Sequence, residues 1–404
     1  MNAWPACGLM TLLLASALLH AQAPPALTLD DAIARAIEAN RAVLAARSAR
    51  AIDLAAVQAA GQRPNPEVTV EAERETPHWS FGGAVPVEIS GKRRRRIDVA
   101  NATLAVTEAE TARVTADVRS DVRRAYYQTV AAVRRLDIAQ ELETIATRAR
   151  DAAQERFQTG ASPRLDALQA QLALSEAQNE SARARGEIAA ARTELNALLA
   201  YPLETVSTLA DPLEGGSLPS PAEAIAQAIG ANAELQVLQK QIDAERARVA
   251  LARAMRRPDP SVSGTLTYDA EPEFTYGWRA GLAIALPLFT TGRADVAVAE
   301  ATLNRAIADR EARAQQIRGA VAAAVARATG ARQAVERYRT DILPASLQVE
   351  QMAQESYQAG QTGLPALLQT VQAAREVRQR ALQAGLDYQL ALAELERAMG
   401  TPLR

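Results

Sequence analysis

Cysteine and histidine are almost missing from this 404-residue chain: there is one cysteine, Cys7, and two histidines, His20 and His78. Cys7 and His20 both fall in an N-terminal stretch that reads as a removable leader. The chain left after its removal would hold no thiol and one imidazole. That excludes thiol–imidazole nucleophiles and Cys/His zinc sites, and leaves a Ser-His-Asp triad almost no support. Carboxylate chemistry stays open, but the reading is of a protein that is not an enzyme and uses no cofactor. Methionine beyond the leader is limited to Met255, Met352 and Met399, so no soft-metal site is legible. No run after the leader reaches the ~18 apolar residues of a membrane-spanning helix. Neither sign of charge dominates, with 45 Lys+Arg against 47 Asp+Glu, which argues against nucleic acid as a partner.

What is present is alanine. The chain is 48% hydrophobic but only 4% aromatic, and Arg, Glu, Gln and Leu supply much of the rest. That composition predicts long, closely packed helices. The apolar run at 9–19 followed by Ala21-Gln22-Ala23 has the length and cleavage pattern of a signal peptide, residues 1–23, although no Lys or Arg precedes it. An exported chain without disulfides must find its stability in packing or oligomerisation.

The remainder is a tandem duplication at an offset near 200 residues. Ala32–Asn40 returns as Ala224–Asn232, and Arg63-Pro64-Asn65-Pro66 as Arg257-Pro258-Asp259-Pro260. Pro86 and Gly91 return as Pro287 and Gly292, and both halves close on Pro-Leu. The expected organisation is a first repeat at 24–203, a linker at 204–220 rich in Pro and Gly, and a second repeat at 221–404. Each repeat is expected to contain a first helix (29–61, 221–255), a short region of different period, a very long helix (92–157, 293–358), a glycine turn and a last helix (164–200, 365–399).

The long helix is the plainest signal. No glycine or proline occurs between Lys92 and Thr159. Val118, Val122, Ala125, Thr129, Ala132, Leu136 and Ala139 follow the 4-3 spacing of a seam. Such a helix would reach about 100 Å. In the second copy Pro344 predicts a kink.

Between the helices the period falls to two. Strands are expected at 67–75, 79–89, 261–269 and 275–289. One face carries Val68, Val70, Val85, Val262, Leu266, Leu282 and Ile284, and the other is polar or small. Trp79, Phe81, Tyr268, Phe274, Tyr276 and Trp278 gather here, as aromatics do at membrane interfaces. A small sheet lying on a helical core has the same spacing. A membrane barrel accounts for more of it, but four strands cannot close a water-filled barrel, so several subunits must each supply four. Three would give twelve, although the pattern does not reveal that number.

Leader, duplication, paired hairpins and a very long helix together resemble the TolC family of outer membrane efflux proteins. The most specific residues lie at the far helix ends: Arg156-Phe157-Gln158-Thr159-Gly160 leading to Leu165-Asp166-Ala167-Leu168-Gln169, and Glu355-Ser356-Tyr357-Gln358-Ala359-Gly360 leading to Leu367-Leu368-Gln369. Pro86-Val87-Glu88-Ile89-Ser90-Gly91-Lys92-Arg93 is similar to the CzcC-like, heavy-metal branch. The resemblance implies a mainly α chain with membrane β-strands, a homotrimer forming a helical barrel and a 12-stranded outer membrane barrel. It implies docking through the tips around Phe157, Gly160, Asp166, Tyr357, Gly360 and Gln369 onto a periplasmic adaptor, and through it onto an inner membrane pump. It implies contact with outer membrane lipid and a passive conduit without chemistry of its own. The family's aperture aspartates fall on Ala366 and Gln369 here, and only the first-half counterpart, Asp166, is acidic.

The basic run Lys92-Arg93-Arg94-Arg95-Arg96 opposes the dipole of the helix it opens. Lipid headgroups, Glu88 or neighbouring subunits are the expected compensation, against the blander reading of a solvated charge run. Heavy-metal cations are the favoured cargo, ahead of drugs or secreted protein. From another class, a periplasmic coiled-coil adaptor or structural protein would share the helices without needing the four strands.

Overall fold

A computed structural model describes residues 26–270, 272 and 274–403; the expected leader lies outside them. The first repeat begins with α1 (Leu29–Ala39) and α2 (Arg41–Ala60), followed by β1 (Glu67–Ala72) and β2 (Trp79–Pro86). Then come α3 (Lys92–Gln158) and α4 (Arg164–Leu199). The second repeat supplies α5 (Pro221–Ala231), α6 (Ala233–Met255), β3 (Pro260–Ala270) and β4 (Phe274–Ile284). It closes with α7 (Arg293–Arg337), a π-helical turn (Tyr338–Ile342), α8 (Leu343–Gln358) and α9 (Leu364–Met399).

The first helix of each repeat is two helices, not one. Asn40 and Asn232 leave helical geometry at ψ 131° and 123°. Each side-chain carbonyl caps the helix that follows, accepting from Ala42 N at 2.9 Å and from Glu234 N at 3.0 Å. Each side-chain amide donates to the end of its repeat's last helix, to Leu198 O and Ala398 O, both at 2.9 Å. A continuous helix could not satisfy these groups, because asparagine competes with helical backbone for the same bonds.

With 67 residues, α3 is about 100 Å long. Its expected seam is buried at Val118, Val122, Ala125, Thr129, Ala132 and Ala139, while Leu136 is half-buried. Toward the far end Ala149 and Ala153 pack with Ala170 of α4, and Ala146 with Leu174 and Ala177. Methyl-sized side chains let the two helices approach closely over this length. One core joins α1–α4 around Tyr126 and Leu199, and its counterpart joins α5, α6, α7 and α9 around Val321 and Leu395.

The linker is fastened between the two cores. The Tyr126 hydroxyl lies 2.8 Å from both Leu27 O and the Asp211 carboxylate, and accepts from Ala210 N and Asp211 N at 3.2 Å. On the other side Gln389 Nε2 donates to Leu213 O at 2.9 Å.

Pro344 acts as expected but through a specific device. Lacking an N–H, it cannot continue the α-helical ladder, and the turn before it widens so that Leu343 N donates to Tyr338 O, five residues back.

The four strands form one antiparallel sheet in the order β1-β2-β3-β4. The hairpins are joined through β2 and β3, in the register Trp79↔Tyr268 and Phe81↔Leu266. Three strands end earlier than the alternation suggests. β1 stops at Ala72. β2 stops at Pro86, after which Val87 N donates to Pro260 O and Ile89 N turns to the Asp259 carboxylate. β4 stops at Ile284 because that residue pairs with Pro260, where its partner β3 begins; Leu286, Leu288 and Phe289 beyond it are exposed.

Candidate functional site

The sheet has two unlike faces. Cross-strand register puts Val70, Phe81, Leu266 and Trp278 in one row and Ala72, Trp79, Tyr268 and Tyr276 in the next. These side chains share a face, and its large ones are open to the surroundings: Trp278 is 80% and Tyr276 77% exposed. The Tyr268 and Tyr276 rings lie 5.2 Å apart, tilted by 44° to each other. Phe274 opens β4, but its side chain lies outside those described. The opposite face carries Glu67, Thr69, Glu71, Ser80, Ser263, Thr265, Thr267 and Arg279. Leaving about a dozen large apolar side chains in water would cost on the order of 1 kcal/mol or more each, so this face is built for an apolar medium. Strands of 11 residues, β3 and β4, run about 36 Å, which at a ~45° tilt spans the apolar band of an outer membrane. Among the described residues no helix is long and apolar enough to cross a membrane.

Where sheet meets helices, most of the basic run finds partners inside the chain. Lys92 is buried and binds Asp259 at 2.8 Å. Asp259 also accepts from Ile89 N at 3.0 Å, so one carboxylate ties the end of β2 and the start of α3 to the start of β3. Arg93 donates to Gly61 O, and Arg95 pairs with Asp98 at 3.2 Å. Arg96 forms a two-pronged bond with Glu88 and reaches Gln62 O at 3.0 Å. That bond to Glu88 holds the Arg96 guanidinium further toward its charged form, against the opposing effect of burial. Glu88 was visible in the sequence as compensation. Asp259 was not, since it lies 167 residues from Lys92. Arg94 is exposed.

The two glycine turns have the same geometry. Gly160 and Gly360 take φ +74° and +72°, a region open to glycine at little cost. Their amides donate to Phe157 O and Tyr357 O, both at 3.0 Å. The resemblance ends at the aromatics: Phe157 is exposed, whereas Tyr357 is buried among Ala149, Ala153, Leu364 and Leu367. Arg156 of the first turn lies over the Tyr357 ring and also donates to the Tyr357 carbonyl. Asp166 is half-buried in the first turn of α4, where an acid suits the helix dipole. The cap there is Pro163, which offers no side-chain hydrogen bond, and the buried Ser162 hydroxyl has no partner among the described residues. Ala366 and Gln369 are exposed on α9, and Leu165, Leu168 and Leu172 line an exposed apolar stripe on α4.

Two buried charge groups lie along the helices. Arg123 of α3 pairs with Glu396 of α9, both 7% exposed, and donates to Gln389 at 3.3 Å. Further toward the tips Arg378 binds Glu350 closely and Glu141 at 3.5 Å. Burial pushes the Glu350 carboxyl up, Arg378 pulls it down and Glu141 pushes it up again. One Glu350 oxygen has no hydrogen-bond partner among the described residues. Neither group was legible in the sequence, because each joins helices hundreds of residues apart or separated by a turn. Among the described residues no cluster of three or more His, Cys, Asp or Glu could hold a metal ion.

Known proteins fit this arrangement. The sequence profile described as "Outer membrane efflux protein" matches residues 32–200 and again 224–401. The cobalt-zinc-cadmium resistance protein CzcC of Cupriavidus metallidurans is 29% identical over 268 residues, 65% of this chain and 63% of that protein. The chain thus spans under two thirds of that relative's length. Among solved structures, CusC superposes with a TM-score of 0.75 at 18% identity over 92% of each chain. The open-state MtrE channel of Neisseria gonorrhoeae gives 0.75 at 19% identity, over 92% of this chain and 89% of that one. The likeness expected from the helix tips is thereby borne out at the level of family and fold.

Proposed function

Because this chain belongs to the outer membrane efflux protein family, we propose that it is the exit channel of a three-part efflux system. Three copies join their sheets into a 12-stranded outer membrane barrel, and their helices continue it as a tunnel through the periplasm. The helix tips around Phe157, Gly160, Asp166, Tyr357, Gly360 and Gln369 dock a periplasmic adaptor, which connects the tunnel to an inner membrane pump. The observation that carries the reading is the sheet itself. It has an exposed aromatic face and, among the described residues, two unpaired edges, β1 and β4. In lipid an open edge costs several kcal/mol per unpaired group, so the sheet must be closed by others like it.

Heavy-metal cations are the favoured cargo. Support comes from the 29% identity to a protein named for cobalt, zinc and cadmium resistance. The channel contributes no selectivity of its own in this reading: energy and choice of cargo come from pump and adaptor. Deleting the gene tests this. Loss of cobalt, zinc and cadmium tolerance, restored by the intact gene, is expected. Unchanged metal tolerance with new sensitivity to organic drugs would move the cargo assignment to drug efflux.

A further inference from the structure

Along the paired length of the sheet, charge on the inner, polar face is segregated to its two edges. β1 presents Glu67, Thr69 and Glu71 on that face. The ladder continues one step, with Glu73 N donating to His78 O at 3.0 Å, which keeps Glu73 at the same parity, and Glu75 follows in the turn. Along their paired length the middle strands carry no charge on this face: Ser80, Gly82, Ala84 and Pro86 on β2, and Ser261, Ser263, Thr265 and Thr267 on β3. Asp269, beyond Tyr268 near the end of β3, has a local partner in His78 at 3.2 Å. β4 then presents Gly277, Arg279, Gly281 and Ala283, with Arg279 its one charge.

Arg279 is exposed, faces Thr265 across the ladder, and makes no ion pair among the described residues. The same holds for the ion pairing of Glu67, Glu71, Glu73 and Glu75, apart from the bond that Glu71 accepts from Ser80 Oγ at 3.1 Å. Within one chain the two edges are three strand spacings apart, about 14 Å, too far for contact. Across a seam between two chains, β4 of one lies beside β1 of the next, with the inner faces continuous.

We propose that Arg279 pairs with a β1-edge carboxylate of the neighbouring copy, so that three identical ion pairs close the barrel seams. This rests on the trimeric reading above. The stagger that closure imposes on the strands sets which carboxylate is met. Acids at 67, 71, 73 and 75 place one within two residues at every register that pairs these edges. The same layout opposes wrong assembly. Two β1 edges would bring carboxylates together and two β4 edges would bring guanidiniums together, both repulsive.

Charge reversal tests it, read as the temperature at which the detergent-extracted trimer dissociates on a semi-native gel. Arg279→Glu should lower that temperature by several degrees. Combining it with one of Glu67→Arg, Glu71→Arg, Glu73→Arg or Glu75→Arg should restore it. A wild-type-like trimer with Arg279→Glu, or no restoration by any of the four, overturns the ion pair while leaving the trimer intact. A wild-type protein that runs as single chains overturns both. Should Arg279→Glu fail to accumulate, cysteine pairs decide, because the only native cysteine is Cys7 in the leader. Oxidised Arg279→Cys combined with one of Glu67→Cys, Glu71→Cys, Glu73→Cys or Glu75→Cys should give a covalent three-chain ladder; absence of the ladder for all four pairs overturns the proposal.

Discussion

The guanidinium of Arg156 sits 4.6 Å from the centre of the Tyr357 ring and donates from Nη2 to the Tyr357 carbonyl at 3.0 Å. One side chain from the first glycine turn thus holds both the ring and the backbone of the second. A stacked cation and a charged hydrogen bond together are worth about 1–3 kcal/mol locally. Arg156→Ala should therefore speed amide hydrogen exchange over 357–363 by roughly ten-fold or more, while exchange in the core around Val122 stays unchanged. Arg156→Lys should fall between, since it keeps the charge but loses the planar fork. Equal exchange in all three proteins would refute the contact.

Both partners of the Arg123–Glu396 pair are buried, and Glu396 also accepts from Leu403 N at 2.6 Å. Removing one partner strands the other, at a cost of about 3–5 kcal/mol. Arg123→Met alone should sharply lower the thermal midpoint of the helical domain. Arg123→Met with Glu396→Leu should recover part of it, but not all, because Leu403 N is left without its acceptor. A double variant less stable than the single one would show that the pair is not the source of the loss.

Glu350 gives a pH dependence with a definite sign. Its carboxyl is raised in the folded protein, chiefly by burial. The folded state therefore holds the proton more tightly than the unfolded state. Stability from this group is fully present below the ordinary glutamate range and is lost as pH rises through the raised value. Glu350→Gln lacks that term. The melting temperature of the variant minus that of the native protein should increase with pH across this window. A flat or falling difference would contradict the assignment.

Gly160 and Gly400 share φ +74°, yet only one is crowded. A Cβ on Gly160 meets nothing within 4 Å, whereas on Gly400 it would come within 2.6 Å of Asn232 Cα. Gly160→Ala should cost only the left-handed strain, about 1 kcal/mol. Gly400→Ala should cost clearly more, because the backbone at Asn232, which caps α6, must move. Denaturant midpoints of the two variants compare them directly, and equal losses would rule out the close approach.

The contrast between Lys92 and Asn40 explains what the sequence could reveal. Local signals were strong: the glycine- and proline-free run of α3, the alternation around Trp278, the paired glycine turns and the Pro344 break all depend on neighbours within a few residues. The helix breaks at Asn40 and Asn232 recur in both repeats, but asparagine within an otherwise helical stretch does not announce a break. It breaks here because its amide reaches a carbonyl at the end of another helix, 158 and 166 residues away. The basic run pointed to lipid headgroups, Glu88 or neighbouring subunits as its partners. Asp259 and Glu88 turn two of its members inward, and only folding brings Asp259 there. The buried group of Arg123, Gln389 and Glu396 is likewise hidden, since arginine and glutamate on an alanine-rich helix read as solvent-facing.

The central claim is that the four-stranded sheet cannot stand alone and is completed by two further copies in the outer membrane. The native mass of the protein extracted from outer membranes in mild detergent tests it most directly. A particle of three chains is predicted. A single chain, or a protein released by osmotic shock without detergent, would contradict it.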